Sequence, residues 1–214
     1  MLTIQTFTCN MLTENCYVVS DDSRECVIID CGAFYPEEQK AIIGYIRDQR
    51  LTPVHLLCTH GHFDHCMGNG IIYREYGLKP EVHRDDEFLM VKMVQQTADI
   101  MGIKLSLDVP PVGRYFGDTD TFAFGTHQLA VIHTPGHTPG GCVFHCAAEH
   151  VAFSGDTLFR MSIGRTDFER GSYVQIIGSL HRLATLLPAD TTVYTGHGPV
   201  TTMADERRYN PYFR

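Results

Sequence analysis

The segment THGHFDH, residues 59–65, gathers His60, His62, Asp64 and His65 into six positions. Three further residues with the same donor chemistry follow: His137 within HTPGHTPGG, Asp156 within SGDTLF and His197 within TGHGP. Imidazoles and carboxylates are the groups that borderline and hard divalent cations prefer. A tight turn eased by Gly61 delivers His60 and His62 to one ion and Asp64 and His65 to a second. His137 can then complete the first site and His197 the second, while the two carboxylate oxygens of Asp156 can bridge both. Two cations roughly 3.5–4 Å apart lower the pKa of bound water to about 7 and polarise a carbonyl, so hydrolysis needs no Ser or Cys nucleophile. Asp64 and Asp156 are the carboxylates expected to take part in catalysis.

These residues must be positioned by the elements that precede them. Short apolar runs punctuated by Gly, Pro and Asp predict strands at LTIQTF, NCYVVS, CVIIDCG, HLLCT, LAVIHT, CVFHC, HVAFSGD and TTVYTG. Four of them lead directly into His60, His137, Asp156 and His197, so the candidate ligands sit on loops held by a rigid scaffold. Apolar spacing at three and four residues predicts helices over Pro36–Gln49, Gly68–Tyr76, Asp85–Met101 and Tyr173–Leu187. Pro36, Glu37 and Glu38 suit the positive end of the first helix. Ile103–Gly117, with Pro110-Pro111, predicts a loop crossing between two strand groups. Helices accompany both groups, so some must cover outer sheet faces, and an α/β layered sandwich follows.

A chain of 214 residues fits one domain spanning residues 1–214. With 43% hydrophobic residues it can bury a core, yet it holds no run near the roughly 18 apolar residues of a membrane span. Seventeen Lys and Arg against 25 Asp and Glu give a formal charge of −8, and no basic run can follow a phosphate backbone; neither nucleic acid nor a membrane is an expected partner. MLTIQTFTCNMLTENC lacks the pattern of a secretion signal, and the eight Cys lie mostly in strand-like runs, so reduced, packed thiols in a cytoplasmic protein are expected. Cys142 and Cys146 alternate as strand residues rather than as a metal pair. His55, His83, His127, His133, His145, His150 and His181 fit no metal spacing. Arg165 and Asp167 either form an ion pair that fixes the loop after Asp156 or present Arg165 to substrate. Tyr209, Asn210, Tyr212 and Arg214 are expected to pack on the domain.

THGHFDH, HTPGHTPGG, SGDTLF and TGHGP, in this order, resemble the motifs of the metallo-β-lactamase superfamily, and the resemblance spans most of the chain. TPGHTPG, GDTLF, SIGRTDF and YTGHGP are most similar to its glyoxalase II-like, or hydroxyacylglutathione hydrolase-like, group. The resemblance implies a four-layer αββα sandwich with two metals at one edge between the sheets. It implies His60, His62 and His137 on one metal, Asp64, His65 and His197 on the other, and Asp156 between them. It also implies hydrolysis of a small-molecule thioester of the S-lactoylglutathione type. The implied cofactors are two divalent ions, zinc first, with iron or manganese as alternatives. Glyoxalase II carries a C-terminal helical domain that supplies much of its glutathione-binding surface. Here Gly198–Arg214 follow the last motif, which leaves the thiol carrier and the oligomeric state open. A mononuclear-iron persulfide dioxygenase, a β-lactamase and a non-enzymatic metal-binding module are the alternative readings.

Overall fold

Valine, isoleucine and cysteine recur in the strands because both faces of each sheet are covered, and the computed structural model, which describes residues 1–213, resolves how. The first sheet runs in chain order: β1 (Thr3–Cys9), β2 (Glu14–Ser20), β3 (Glu25–Ile29), β4 (Thr52–Leu57), β5 (Glu81–His83) and β6 (Arg114–Phe116). The second contains β7 (Thr121–Phe124), β8 (His127–His133), β9 (Cys142–Cys146), β10 (Val151–Gly155), β13 (Thr192–Thr195) and β14 (Thr201–Thr202). Its spatial order is β14-β13-β10-β9-β8-β7, and a small hairpin of β11 (Leu158–Phe159) and β12 (Ser162–Ile163) follows β10.

Successive residues of a strand point to opposite faces, and here both faces are apolar. Tyr17, Val19, Val27, Ile29 and Leu57 of the first sheet meet Phe122, Leu129, Phe144 and Phe153 of the second in one core. The alternate residues Val18, Cys26, Ile28 and Leu56 pack outward on Ile42 and Ile46 of α1 (Pro36–Asp48) and Ile72 of α2 (Asn69–Tyr76). On the other side Ile132, Val143, Ala152 and Val193 receive Leu180 and Leu183 of α5 (Tyr173–Leu186). Helix, sheet, sheet, helix is the four-layer αββα sandwich that the motif resemblance implies. No helix among the described residues is long and apolar enough to cross a membrane.

Two expectations need correction. The helix expected over Asp85–Met101 is broken: a 3-10 turn at Arg84–Asp86 leads into α3 (Glu87–Val91), and α4 (Met93–Met101) starts after Lys92. The Lys92 N–H reaches the carbonyls of both Phe88 and Leu89, so the chain tightens there, and Met90 and Met93 both turn into the core beside Phe63. The loop expected over Ile103–Gly117 ends in a strand, β6, whose Phe116 is buried and which pairs in parallel with β5. The expected packing of the C-terminal segment holds for Asn210 and Tyr212, whereas Tyr209 stays half exposed. Asn210 Nδ2 donates to the Ser162 carbonyl, Tyr212 and Phe213 pack on the α5 layer, and Tyr209 closes α6 (Met203–Tyr209). Arg214 lies outside the described residues. All eight cysteines are free and buried.

Candidate metal centre

Pairing direction explains why the candidate residues share one rim. β3 and β4 run parallel, with Ile29 beside Leu57, so Asp30 and Thr59-His60 emerge at the same carboxyl edge. β10 and β13 also run parallel, with Gly155 beside Thr195, which sets Asp156 next to His197. β8 is antiparallel to β9 and β9 to β10, so β8 points the same way as β10 and carries His137 to that rim. The two sheets are joined there: the Cys142 N–H donates to the Thr59 carbonyl, the Asn15 N–H to the Gly196 carbonyl, and the Tyr17 hydroxyl to the Thr195 carbonyl.

All seven sequence-derived residues meet at this rim. His60, His62 and His137 bring ligand atoms within 4.8 Å of one another, and so do Asp64, His65 and His197. Asp156 lies between the two sets. Its Oδ2 is 3.5 Å from His137 Nε2, while its Oδ1 is 3.2 Å from His65 Nε2 and 3.7 Å from His197 Nε2. His62 Nδ1 approaches His137 Nε2 at 2.9 Å, and His197 Nε2 lies 3.3 Å from Asp64 Oδ2. Bonds of about 2.0–2.1 Å in a tetrahedral zinc site separate neighbouring ligand atoms by roughly 3.4 Å, so these spacings suit a cation.

The opposite ring nitrogens of four of the five imidazoles are anchored. His137 Nδ1 donates to the Arg165 carbonyl at 2.7 Å, His197 Nδ1 to the Leu12 carbonyl at 3.1 Å, and His65 Nδ1 to Asp30 Oδ2 at 3.0 Å. His60 Nδ1 donates to the Thr59 hydroxyl, which itself donates to Asp30 Oδ2. Such partners fix tautomer and ring orientation for metal ligation. Buried His60 Nε2 and Asp156 Oδ1 are left with no hydrogen-bond partner, which is the arrangement a cation would satisfy.

The electrostatics agree. Burial, together with the neighbouring imidazoles, holds His60 well below the ordinary histidine range, and the same causes push His62 down to about 3. Burial would raise the carboxyls of Asp64 and Asp156, but His65 foremost outweighs it and lowers both. Burial also opposes charge on His65, yet Asp156, Asp64 and Asp30 hold it well above its usual value. Neutral imidazoles beside ionised carboxylates are the protonation states ligation requires; the raised His65 reflects how strongly these carboxylates attract positive charge.

Several positioning residues carry no sequence signal of their own. Asp30, in a left-handed conformation (φ 52°), binds the Thr59 N–H and hydroxyl as well as His65. Asp86, fully buried, accepts from the Gly61 N–H at 2.9 Å, the Thr138 hydroxyl at 2.7 Å and the Gly140 N–H at 2.7 Å, tying the two ligand loops together. Nothing but tertiary proximity marks either one. Glu14 is also fully buried beside His65, and burial raises its carboxyl well above the usual range. The role of Gly61 differs from the expected one: it has no positive φ, and a Cβ there would lie 2.8 Å from Leu89 Cβ. Close approach, not an unusual turn, demands glycine. Both expectations for Arg165 have a counterpart. It forms a two-pronged ion pair with Asp167, stacks on Phe168 and lines the cavity over the centre. That cavity, about 450 Å³, is walled by Leu12, Ile100, Phe159, Ile163 and Phe168.

The chain belongs to the metallo-beta-lactamase superfamily, whose sequence model matches residues 10–197. Hydroxyacylglutathione hydrolase GloC of Haemophilus influenzae is 32% identical over 200 residues, covering 93% of this chain and 92% of its own. Among solved structures, the B3 metallo-beta-lactamase BLEG-1 superposes with a TM-score of 0.90 at 30% identity, covering 99% of both chains. TTHA1623, in a di-iron-bound form, superposes with a TM-score of 0.85 at 33% identity, covering 97% of this chain and 99% of its own. The fold is thus one that binds divalent metals, and the relatives of the chain include metallo-hydrolases.

Proposed function

We propose that residues 1–214 form one catalytic domain that hydrolyses a small acyl thioester, of the S-lactoylglutathione type, at a two-cation centre. His60, His62 and His137 would hold one ion, Asp64, His65 and His197 the other, and Asp156 both. The observation that carries the reading is the split of the Asp156 carboxylate, with Oδ2 toward His137 and Oδ1 toward His65 and His197. Two divalent cations, when bound, would ready a water for attack and polarise the thioester carbonyl. Zinc is the ion proposed, since imidazole and carboxylate suit it, with iron or manganese as the replacements to test.

The chain's own residues supply the remaining functions. Asp64 and Asp156 stay ionised and are the carboxylates available to orient a water and receive its proton. Leu12, Ile100, Phe159, Ile163 and Phe168 give a dry wall against which a short acyl chain packs. Similarity to a hydroxyacylglutathione hydrolase over nearly the whole chain supports a thioester as substrate. Eight buried free thiols support a reducing, cytoplasmic setting.

Hydrolysis of a β-lactam is the second reading, favoured by the BLEG-1 superposition. One panel separates the readings: metal-replete protein is assayed with S-lactoylglutathione, simple acyl thioesters and a chromogenic β-lactam, alongside elemental analysis. Thioester turnover with two ions per chain is expected. Turnover of the β-lactam alone supports the second reading. A single iron with oxygen uptake on glutathione persulfide, or no metal-dependent turnover of any thioester, abandons the thioesterase.

A further inference from the structure

His60, His65, His137 and His197 are each held through the ring nitrogen that faces away from the centre, and His62 is the exception. Its Nδ1 faces His137 Nε2 at 2.9 Å, and no group among the described residues hydrogen-bonds its Nε2. The ring meets Phe168 edge-on, with centroids 4.9 Å apart, which packs it without fixing a nitrogen. Its orientation therefore depends on the backbone that carries it.

We propose that Gln96 is a positioning residue for this ligand, clamping the chain on both sides of His62; the proposal rests on the two-cation reading above. Gln96 lies on α4 and is buried. Its Nε2 donates to the Gly61 carbonyl at 3.0 Å and to the Leu89 carbonyl at 2.8 Å, and its Oε1 accepts from the Phe63 N–H at 3.2 Å. Both amide hydrogens and the amide oxygen are thus in use. Turned end for end, the amide would set its oxygen against two carbonyls and its NH2 against an N–H, so only one orientation serves. Gly61 and Phe63 are the chain neighbours of His62, and bonds to both set the path from which its imidazole projects. Asp86 holds the Gly61 N–H, and the His65 N–H donates to the His62 carbonyl, which completes the frame.

Leu89 lies in α3, so the same amide spans the break at Lys92 and holds both helices to the ligand loop. Residues four apart share one face of a helix, and Ile100, on the face of Gln96, walls the cavity over the centre. The helix that sets His62 therefore also faces the substrate.

The test replaces Gln96 in the full chain with Met, which keeps a stem of similar length and removes all three bonds. Zinc affinity is measured by competition with a chelator, and ligand geometry by the absorption of cobalt(II)-loaded protein. Loss of a residue that orients a ligand costs about 10–100-fold in metal affinity. Gln96→Met is expected to weaken one ion by that factor and to change the cobalt spectrum. Stranded backbone groups also destabilise the fold, so metal-free and metal-loaded protein are both melted. A purely structural role lowers the two melting temperatures alike, whereas positioning also shrinks the rise that metal brings. Gln95→Met, exposed and one position earlier, is the control and should match wild type. Wild-type affinity with an unchanged cobalt spectrum in Gln96→Met overturns the clamp alone. A wild-type chain that takes up no ion overturns the two-cation reading and the clamp with it. Where the variant fails to fold, the wild-type protein decides: the side-chain amide protons of Gln96 should exchange slowly with water by NMR. Exchange as fast as that of Gln95 overturns the clamp.

Discussion

Asp86 joins the two loops that carry His60, His62 and His137, and replacing it measures that coupling. Oδ1 accepts from the Gly140 N–H, and Oδ2 accepts from the Gly61 N–H and the Thr138 hydroxyl, in a position with no solvent exposure. Asp86→Ala strands three buried donors, each costing about 1–3 kcal/mol. Neighbouring losses are not additive, so a total of about 3–5 kcal/mol is expected. Asp86→Asn sets an amide N–H against one donor and loses one charge-assisted bond, about 1.5–3 kcal/mol. Burial raises the Asp86 carboxyl despite these bonds, so removing its charge also recovers desolvation, and the Asn variant should fall near 1.5–2 kcal/mol. For a chain of this size about 2–4 °C of melting temperature accompanies each kcal/mol, giving a drop of roughly 3–8 °C for Asn and more for Ala. Loosened loops widen the His62–His137 approach, and a misplacement near 1 Å can cost about 10²-fold in rate. Thermal melts of metal-loaded protein and kcat/KM on the best thioester measure both effects. An Asp86→Ala protein with the melting temperature and kcat/KM of wild type would refute the coupling.

Three further outcomes are expected. Chelation should abolish thioester turnover and added zinc restore it, while His62→Ala and Asp64→Ala each lower the bound metal seen by elemental analysis; turnover that survives chelation contradicts the two-cation reading. Away from the centre, His127 sits between Asp21 and Glu149, and its bond to Asp21 foremost raises it above the ordinary value. Its contribution is therefore complete below the unfolded histidine pKa of about 6.5 and lost as pH rises through the higher folded value. Hydrogen bonds outweigh burial to lower Asp21, and the His127 bond lowers Glu149, so their contributions are lost only in acid, below the usual carboxylate range. Urea melts should show wild type losing stability relative to His127→Gln as pH climbs above about 6.5, and an unchanged gap would contradict this. Gly155→Ala must hold φ 47° with its Cβ against the Thr59 hydroxyl, so calorimetry should find a loss of about 1–3 kcal/mol.

Much of the centre was legible because metal ligation uses few residue types in dense local patterns. Four of the seven candidate ligands fall within six residues, and the other three follow apolar runs whose period and composition mark strands. The break at Lys92 and the strand Arg114–Phe116 were not legible. Their local patterns suit a continuous helix and a loop, and packing of Met90, Met93 and Phe116 against other elements overrides those preferences. For the same reason the buried hydrogen bonds of Asp30 and Asp86 and the contact that makes Gly61 a glycine left no trace in spacing.

The sequence by itself determined the donor chemistry, the strand-to-loop placement of each candidate ligand and the apolar faces that require layers, because these depend on residue type and on periods of two to four residues. Only the tertiary structure decided which carboxylates hold which imidazoles and which loops are tied together. Those contacts join residues far apart in sequence, 25 positions for Gly61–Asp86 and 133 for Asp64–His197, and parallel pairing of strands in two facing sheets brings them to a common edge.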